Sequence, residues 1–426
     1  MVKNQSPRES QRIIETLCLG LLFWMPHLGL DYVFEVSNGQ KFQLPYGQYL
    51  MFSSSLLASF YLFRSTRFDS VLNLFSNKTL LAGMALIMLG IGLASTSIWG
   101  WRLLAIVGML AVFVIIAANF VINAGARTQT LALLLLVAPF SVPVFGSVLL
   151  ELLGPQDIGV LISNIKHMEY SPPRWHFMNM SANGFGFDAA LVSVFFTLSI
   201  FHTKNTIWKL ILGALLALSL YALLMSGTRA AFVFYLSAFL AFAILRYGVR
   251  ALLFLFFGIV FVSALILISD SLEMVTSFLR FEGDLVAASG RRWTGIVGMW
   301  ELFVASPFQG LGFGSADNQS PVSPSNIFYF GLLAEIGLFG FLGALIILAY
   351  PAKYVVSYLF KPVFPHDAPF LFMFSASVLA GFVPYLMFEF DVLRVSVNHQ
   401  LFFFCWGVIM FYSIKAGANS SHKNET

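Results

Sequence analysis

Residues 223–242 read LLMSGTRAAFVFYLSAFLAF: two apolar runs hinged by Ser226, Gly227 and Thr228, with Arg229 opening the second. Each run belongs to an apolar stretch of about 20 residues, 207–226 before the hinge and 229–247 after it. That length lets a helix cross the hydrocarbon core of a bilayer. The stretch therefore reads as the tight end of a helical hairpin in a membrane. A fixed positive charge stands where the second helix enters.

The pattern repeats outward in both directions. Apolar segments at roughly 13–30, 46–63, 79–98, 101–123, 129–150 and 183–202 precede the hinge pair, and 250–269, 326–350, 368–388 and 398–414 follow it. With the hinge pair they predict an all-α polytopic membrane protein of about twelve transmembrane helices, one domain over 1–426. Composition agrees: 58% of the residues are hydrophobic, 10% are charged and mean hydropathy is +0.83, against about 25% charged in soluble domains. Fifteen of the 24 Lys and Arg residues fall in one alternating set of connections, from Lys3 to Lys423. Short cytoplasmic loops retain such charges, so both termini are expected in the cytoplasm. The polar start MVKNQSPRESQR lacks a small-residue cleavage site and reads as a retained cytoplasmic segment. The net charge of +4 is scattered and gives no nucleic-acid face. Cys18 and Cys405 lie inside apolar runs and form no disulfide framework.

Two long connections, 151–182 and 270–325, face outward in this layout and carry most of the remaining cations. Long loops without spanning character are usually functional. Arg229 lies at the same face. At a helix N-terminus the free N–H groups already present about half a positive charge, so a cation there is unfavourable without an anion. Ser226 and Thr228 offer capping hydroxyls to the same place. Two readings stay open: an arginine snorkelling to lipid headgroups, or a site for an anionic ligand.

The second outer loop repeats the pattern. In SGRRWTGIVGMWELFVASPF, Arg291 and Arg292 precede Trp293, Ile296, Val297, Trp300, Phe303 and Val304, whose spacing predicts one apolar face of an interfacial helix. Pro307 is expected to end it, with the arginines in its first turn. Guanidinium groups bind phosphate bidentately and never lose their charge, which suits a diphosphate; a lipid-headgroup anchor is the other reading. The glycines of QGLGFG, Gly310, Gly312 and Gly314, lack a βαβ setting and read as a tight turn. Glu335 falls inside an expected span, where an ionisable residue is costly. Gly337 and Gly340 beside it would permit close helix packing. Arg174, His176 and Asn183 come from the first outer loop. Glu389, Asp391, Arg394 and His399 come from the last connection. No motif with metal-ligand spacing occurs, so no metal or other cofactor is expected.

Three pieces in this order, SGTRAAF, GRRWTGIVGMWELFVASPFQGLGFG and SNIFYFGLLAEIGLFG, resemble the bacterial O-antigen ligase and O-antigen polymerase superfamily, most strongly over about 170–345. The resemblance implies a GT-C-like multi-span glycosyltransferase of the bacterial inner membrane. Its active site would face the periplasm, and the two long outer loops would be periplasmic. The donor would be a glycan on undecaprenyl diphosphate, with no metal. By motif, Arg229 and an arginine of the Arg291–Arg292 pair would bind the diphosphate; Arg174 is a further candidate. Catalytic candidates are Glu335, His176 and His399, with Asp317 also eligible as a base. Implied partners are undecaprenyl-diphosphate-linked oligosaccharide, membrane lipids and a chain-length regulator, and no nucleic acid.

Many ligases of this family carry His-Asn at the entrance to the span after the large loop; here the pair is Ser325-Asn326. A serine does not replace an imidazole as a base near neutral pH. The departure favours a polymerase, which transfers the growing chain to a lipid-linked repeat unit, over a ligase, which transfers it to lipid A–core. A secondary transporter is the competing class, because a twelve-span layout is also common there. Its midplane charges and related halves are not evident in this sequence.

Overall fold

The computed structural model describes residues 9–30, 34–36, 40–42, 47–64, 68–94, 97–153, 166–167, 174–175, 182–248, 250–251, 285–313, 328–360, 369–387 and 397–423. Among these, thirteen helices follow in chain order: α1 Glu9–Leu30, α2 Gly47–Arg64, α3 Phe68–Phe75, α4 Lys78–Leu93, α5 Ser97–Asn123, α6 Ala126–Leu153 and α7 Ala182–His202. They continue with α8 Thr206–Ser226, α9 Arg229–Tyr247, α10 Leu285–Ala305, α11 Phe328–Phe360, α12 Phe370–Tyr385 and α13 Val397–Lys423. Two small antiparallel pairs interrupt the helical order: β1 Phe34–Val36 with β2 Gln40–Phe42, and β3 Lys166–His167 with β4 Arg174–Trp175.

Among the described residues, six helices are long and apolar enough to cross a membrane: Leu104–Asn123, Ala126–Leu152, Asn183–His202, Thr206–Ser226, Arg229–Tyr247 and Phe328–Tyr358. Shorter apolar helices lie at Ile13–Trp24, Lys78–Leu93, Trp293–Ala305 and Phe370–Tyr385. The protein is a polytopic, membrane-embedded helical bundle. Its outer surface carries bare large apolar side chains, among them Leu57, Phe60, Ile207 and Leu210. Water would penalise such a surface, whereas lipid tails accept it. The α7 span is the most enclosed, with 78% of its apolar window buried, against 17% for α8. Accordingly α7 packs against α6, α8, α9 and α12. Thr197 and Tyr235 join α7 to α9 through a hydroxyl pair at 3.2 Å.

Helices occupy eleven of the twelve expected segments, while 250–269 lies outside the described residues beyond Ala251. Two expectations change. Helix α10, expected from the sequence to be interfacial, begins at Leu285, so Arg291 and Arg292 stand in its second turn and not its first. Its expected single apolar face is divided. Trp293, Val297, Trp300 and Val304 point outward, while Met299, Leu302 and Phe303 pack on Phe330 and Ala334 of α11.

The second change concerns α11, which is broken at Gly337, where φ is 64° and ψ −174°. That backbone lies where only glycine is comfortable. Gly337 therefore marks a break in the helix, where the sequence predicted close helix packing. Close packing with another helix belongs to Gly340 and Gly343, which meet Gly90 and Gly83 of α4. A Cβ on Gly90 would lie 2.7 Å from the Gly340 Cα, and one on Gly343 would strike the Gly83 carbonyl oxygen. Small residues let the two backbones touch where no hydrophobic force drives helices together.

Candidate functional site

The turn that carries Arg229 is built from α8. Gly227 ends that helix in the left-handed region at φ 59°, and its N–H donates to the Leu224 carbonyl at 3.0 Å. The Ser226 hydroxyl donates back to Leu223 O at 2.7 Å and accepts the Thr228 N–H at 3.2 Å. Thr228 Oγ1 donates to Ser226 O at 3.4 Å. Both hydroxyls thus serve the turn, and Thr228 makes no side-chain cap on α9. The cap expected from Thr228 is therefore not formed. Ser226 and Thr228 are buried, whereas Arg229, the first residue of α9, is partly exposed. The charge sits on a buried pedestal at a helix N-terminus that Thr228 leaves uncapped.

The pedestal is braced by α7. A Cβ on Gly186 would come within 2.6 Å of Thr228 Cβ and 2.8 Å of Ser226 Oγ. Beneath it lies an aromatic layer. Phe234, five residues or about 7.5 Å of helix below Arg229, packs on Phe187 at 4.9 Å, Phe382 at 5.4 Å and Tyr385 at 5.8 Å. Phe187 also meets Tyr385 at 5.0 Å. Tilted and edge-on ring pairs of this kind add to their burial. Three helices, α7, α9 and α12, are closed by these rings near the ends that meet at the Arg229 turn.

The layer extends to His399. Phe382 packs on Phe402 of α13 at 5.5 Å, and the fully buried His399 lies against Phe403 at 4.6 Å. On α11, Tyr329 Oη donates to the Val383 carbonyl at 3.3 Å, tying the start of that helix to the end of α12. Glu335, 2% exposed, follows six residues on. Arg229, His399 and Glu335 are therefore gathered toward one end of the bundle. Arg229 and Glu335 each engage further partners.

Arg174 lies in β4, paired with His167, and β4 packs against α7 and α8. The neighbouring Trp175 is fully buried with its ring 5.5 Å from Tyr221 of α8. The strand is thus anchored on the helix pair that supports the Arg229 turn. Arg291 and Arg292 are placed by the backbone of α10. His176, Asp317, Glu389, Asp391 and Arg394 lie outside the described residues.

One ionisable residue escaped sequence reasoning: Asp188, 4% exposed, two positions beyond Gly186 on α7. It is the sole charge in the apolar run 183–202, which was the available signal. An apolar cavity of about 470 Å³ lies between α4, α5, α11 and α13, lined by Met84, Met88, Trp101, Phe403 and Trp406 among others. None of the candidate site residues lines it. Among the described residues, no group of three or more His, Cys, Asp or Glu could hold a metal ion.

The arrangement offers a guanidinium cation at a helix N-terminus, closed from below by rings, with a buried imidazole and carboxylates in the surrounding helices. Chemically it suits an anionic group approaching from one side. No protein-family model matches the chain, and no curated protein sequence matches it.

Proposed function

We propose that this protein is a polysaccharide polymerase of the O-antigen type, a metal-independent glycosyltransferase. It would transfer a growing glycan from undecaprenyl diphosphate to a lipid-linked repeat unit at the periplasmic face of the inner membrane. In this reading the chain crosses the membrane twelve times as a GT-C-like enzyme, with both termini in the cytoplasm. The observation that carries the proposal is Arg229, held as the first residue of α9 on a buried turn that Gly186 braces.

The acceptor hydroxyl attacks the anomeric carbon of the donor sugar. A new C–O bond forms as the bond to the diphosphate breaks, and the diphosphate leaves with the electron pair. Arg229, joined by an arginine of α10, stabilises the charge that grows on the leaving group. Fixed cations in a partly dry site are effective at this task because they need no reorganisation. The hydroxyl proton passes to a base, for which Glu335, His399 and Asp188 are the buried candidates. The ring layer under Arg229 supports a one-sided site over a transport path, since it fills the space between α7, α9 and α12.

The test uses purified protein with undecaprenyl-diphosphate-linked repeat units, with and without lipid A–core, resolved on a gel. A ladder without core, lost in Arg229→Ala, supports the polymerase. A single transfer that requires core makes the protein a ligase. No product from folded protein removes the enzyme reading.

A further inference from the structure

The break in α11 is filled by the segment that follows α10. After Ala305 the chain turns at Pro307 and passes through Gly310 and Gly312, both with positive φ. In an unbroken helix the Leu338 N–H would donate to Ala334 O, and the Phe339 N–H to Glu335 O. Here the Leu338 N–H donates to Pro307 O at 2.8 Å. Leu311 N–H donates to Ala334 O at 2.9 Å, and Gly312 N–H to Glu335 O at 2.8 Å. The inserted segment thus replaces the helix's own bonds, two donors and one acceptor, at the point where Gly337 leaves them open. Irregular backbone in a membrane helix persists only where protein satisfies it in this way.

The fit leaves no space for a side chain. A Cβ on Gly310 would collide with the Glu335 carbonyl oxygen and lie 2.7 Å from Gly337 N. A Cβ on Gly337 would lie 2.7 Å from Phe308 O. Rings and side chains reinforce the seam: Phe308 meets Phe339 at 5.7 Å, and Met299 packs with Ala334. Helix α10 cannot slide on α11 without breaking three backbone hydrogen bonds at once.

We propose that residues 306–313 are a backbone clamp. It fixes α10, and with it Arg291 and Arg292, against the half of α11 that carries Glu335. Gly310 and Gly337 are positioning residues for glycan transfer, an assignment that rests on the diphosphate site proposed above. Displacing a binding element by about an ångström costs on the order of a hundredfold in rate, so loosening the clamp acts on turnover without touching an arginine.

The experiment places cysteines at Met299 and Ala334 of the full chain, whose own Cys18 and Cys405 are buried. Disulfide formation in membranes is followed beside ladder synthesis. Gly310→Ala and Gly337→Ala are expected to slow the cross-link and lower polymer formation by about a hundredfold. Locking the Gly310→Ala protein through the disulfide should restore most of that product, which a general folding defect would not allow. An unchanged cross-linking rate in both variants overturns the clamp. A slowed cross-link with a normal ladder overturns the positioning role and leaves the Arg229 site standing. Absence of any ladder in the parent protein fails the enzyme reading instead, while the cross-link still reports the clamp. Should both variants misfold, amide exchange in the unsubstituted protein decides. Leu311, Gly312 and Leu338 should exchange far more slowly than the exposed Gln309, and equal rates overturn the proposal.

Discussion

Gly186 of α7 and Thr228 of the hinge are in direct contact, so close that a Cβ on the glycine would stand 2.6 Å from the threonine Cβ. The turn that presents Arg229 is therefore set by a second helix as well as by its own hydrogen bonds. Gly186→Ala should destabilise the protein by about 1–3 kcal/mol, the usual cost of overpacking a tight site. Thr228→Gly removes the atom in the way, so the double variant should recover part of the loss. Thermal unfolding in detergent of both single variants and the double variant measures the coupling. Equal melting of Gly186→Ala and the parent would sink this account of the brace.

Arg229→Ala and Arg229→Lys separate charge from geometry. Loss of a preorganised group that stabilises a leaving charge costs about 10²–10³ in rate, and the alanine variant is expected to show that fall in ladder synthesis. Lysine keeps the charge but not the planar fork, so it should recover only part of the activity. Because Arg229 engages partners within the fold, melting temperature is read beside activity, and the fall in turnover should exceed what the loss of folded protein accounts for. Full activity with lysine would mean that bidentate contact is not used.

Much of this architecture is legible in the chain because lipid imposes a coarse code. Segment length marked 229–247 as a span, and α9 occupies Arg229–Tyr247. The hinge at Ser226–Thr228 was equally visible, since glycine and hydroxyl residues between two apolar runs have few other uses. What the hydroxyls do was not visible: Ser226 and Thr228 could cap α9 or close their own turn, and only the geometry around Gly227 decides. The break at Gly337 is hidden for a similar reason. An apolar run such as GLLAEIGLFGFLGALIIL reads as continuous helix, and the strand of backbone that repairs it comes from over twenty residues earlier. Asp188 is legible as the one charge in the apolar run 183–202, and α7 buries it.

The hydroxyls of Ser193 and Ser219 meet at 2.9 Å across α7 and α8, both fully buried. The single Ser193 proton is shared between Ser219 Oγ and Ala189 O of its own helix, the latter at 2.7 Å, while Ser219 donates to Leu216 O at 2.9 Å. A hydroxyl satisfied within its helix has little left to gain from its neighbour. The coupling in a Ser193→Ala, Ser219→Ala double-mutant cycle should therefore be about 0.6 kcal/mol, the average for membrane helices. A coupling near 2 kcal/mol in detergent unfolding would show that this pair, and not the glycine contact above it, holds the two helices together.

Phe234 stands at the centre of the ring layer, in contact with Phe187, Phe382 and Tyr385, and Gly381 leaves it no slack: a Cβ there would lie 2.9 Å from the ring. Phe234→Ala should cost about 3–5 kcal/mol, the range for emptying a packed aromatic site, and Phe234→Leu considerably less. The same variants test what the layer is for. If it is the floor of a one-sided enzyme site, proteoliposomes carrying either variant should move no lipid-linked sugar across the bilayer, because three rings remain in place. Transfer should fall only as far as the loss of folded protein requires. If the layer is instead a gate on a transport path, shrinking Phe234 should raise flux. Sugar movement that increases from phenylalanine to leucine to alanine would favour the transporter and remove the floor from this account.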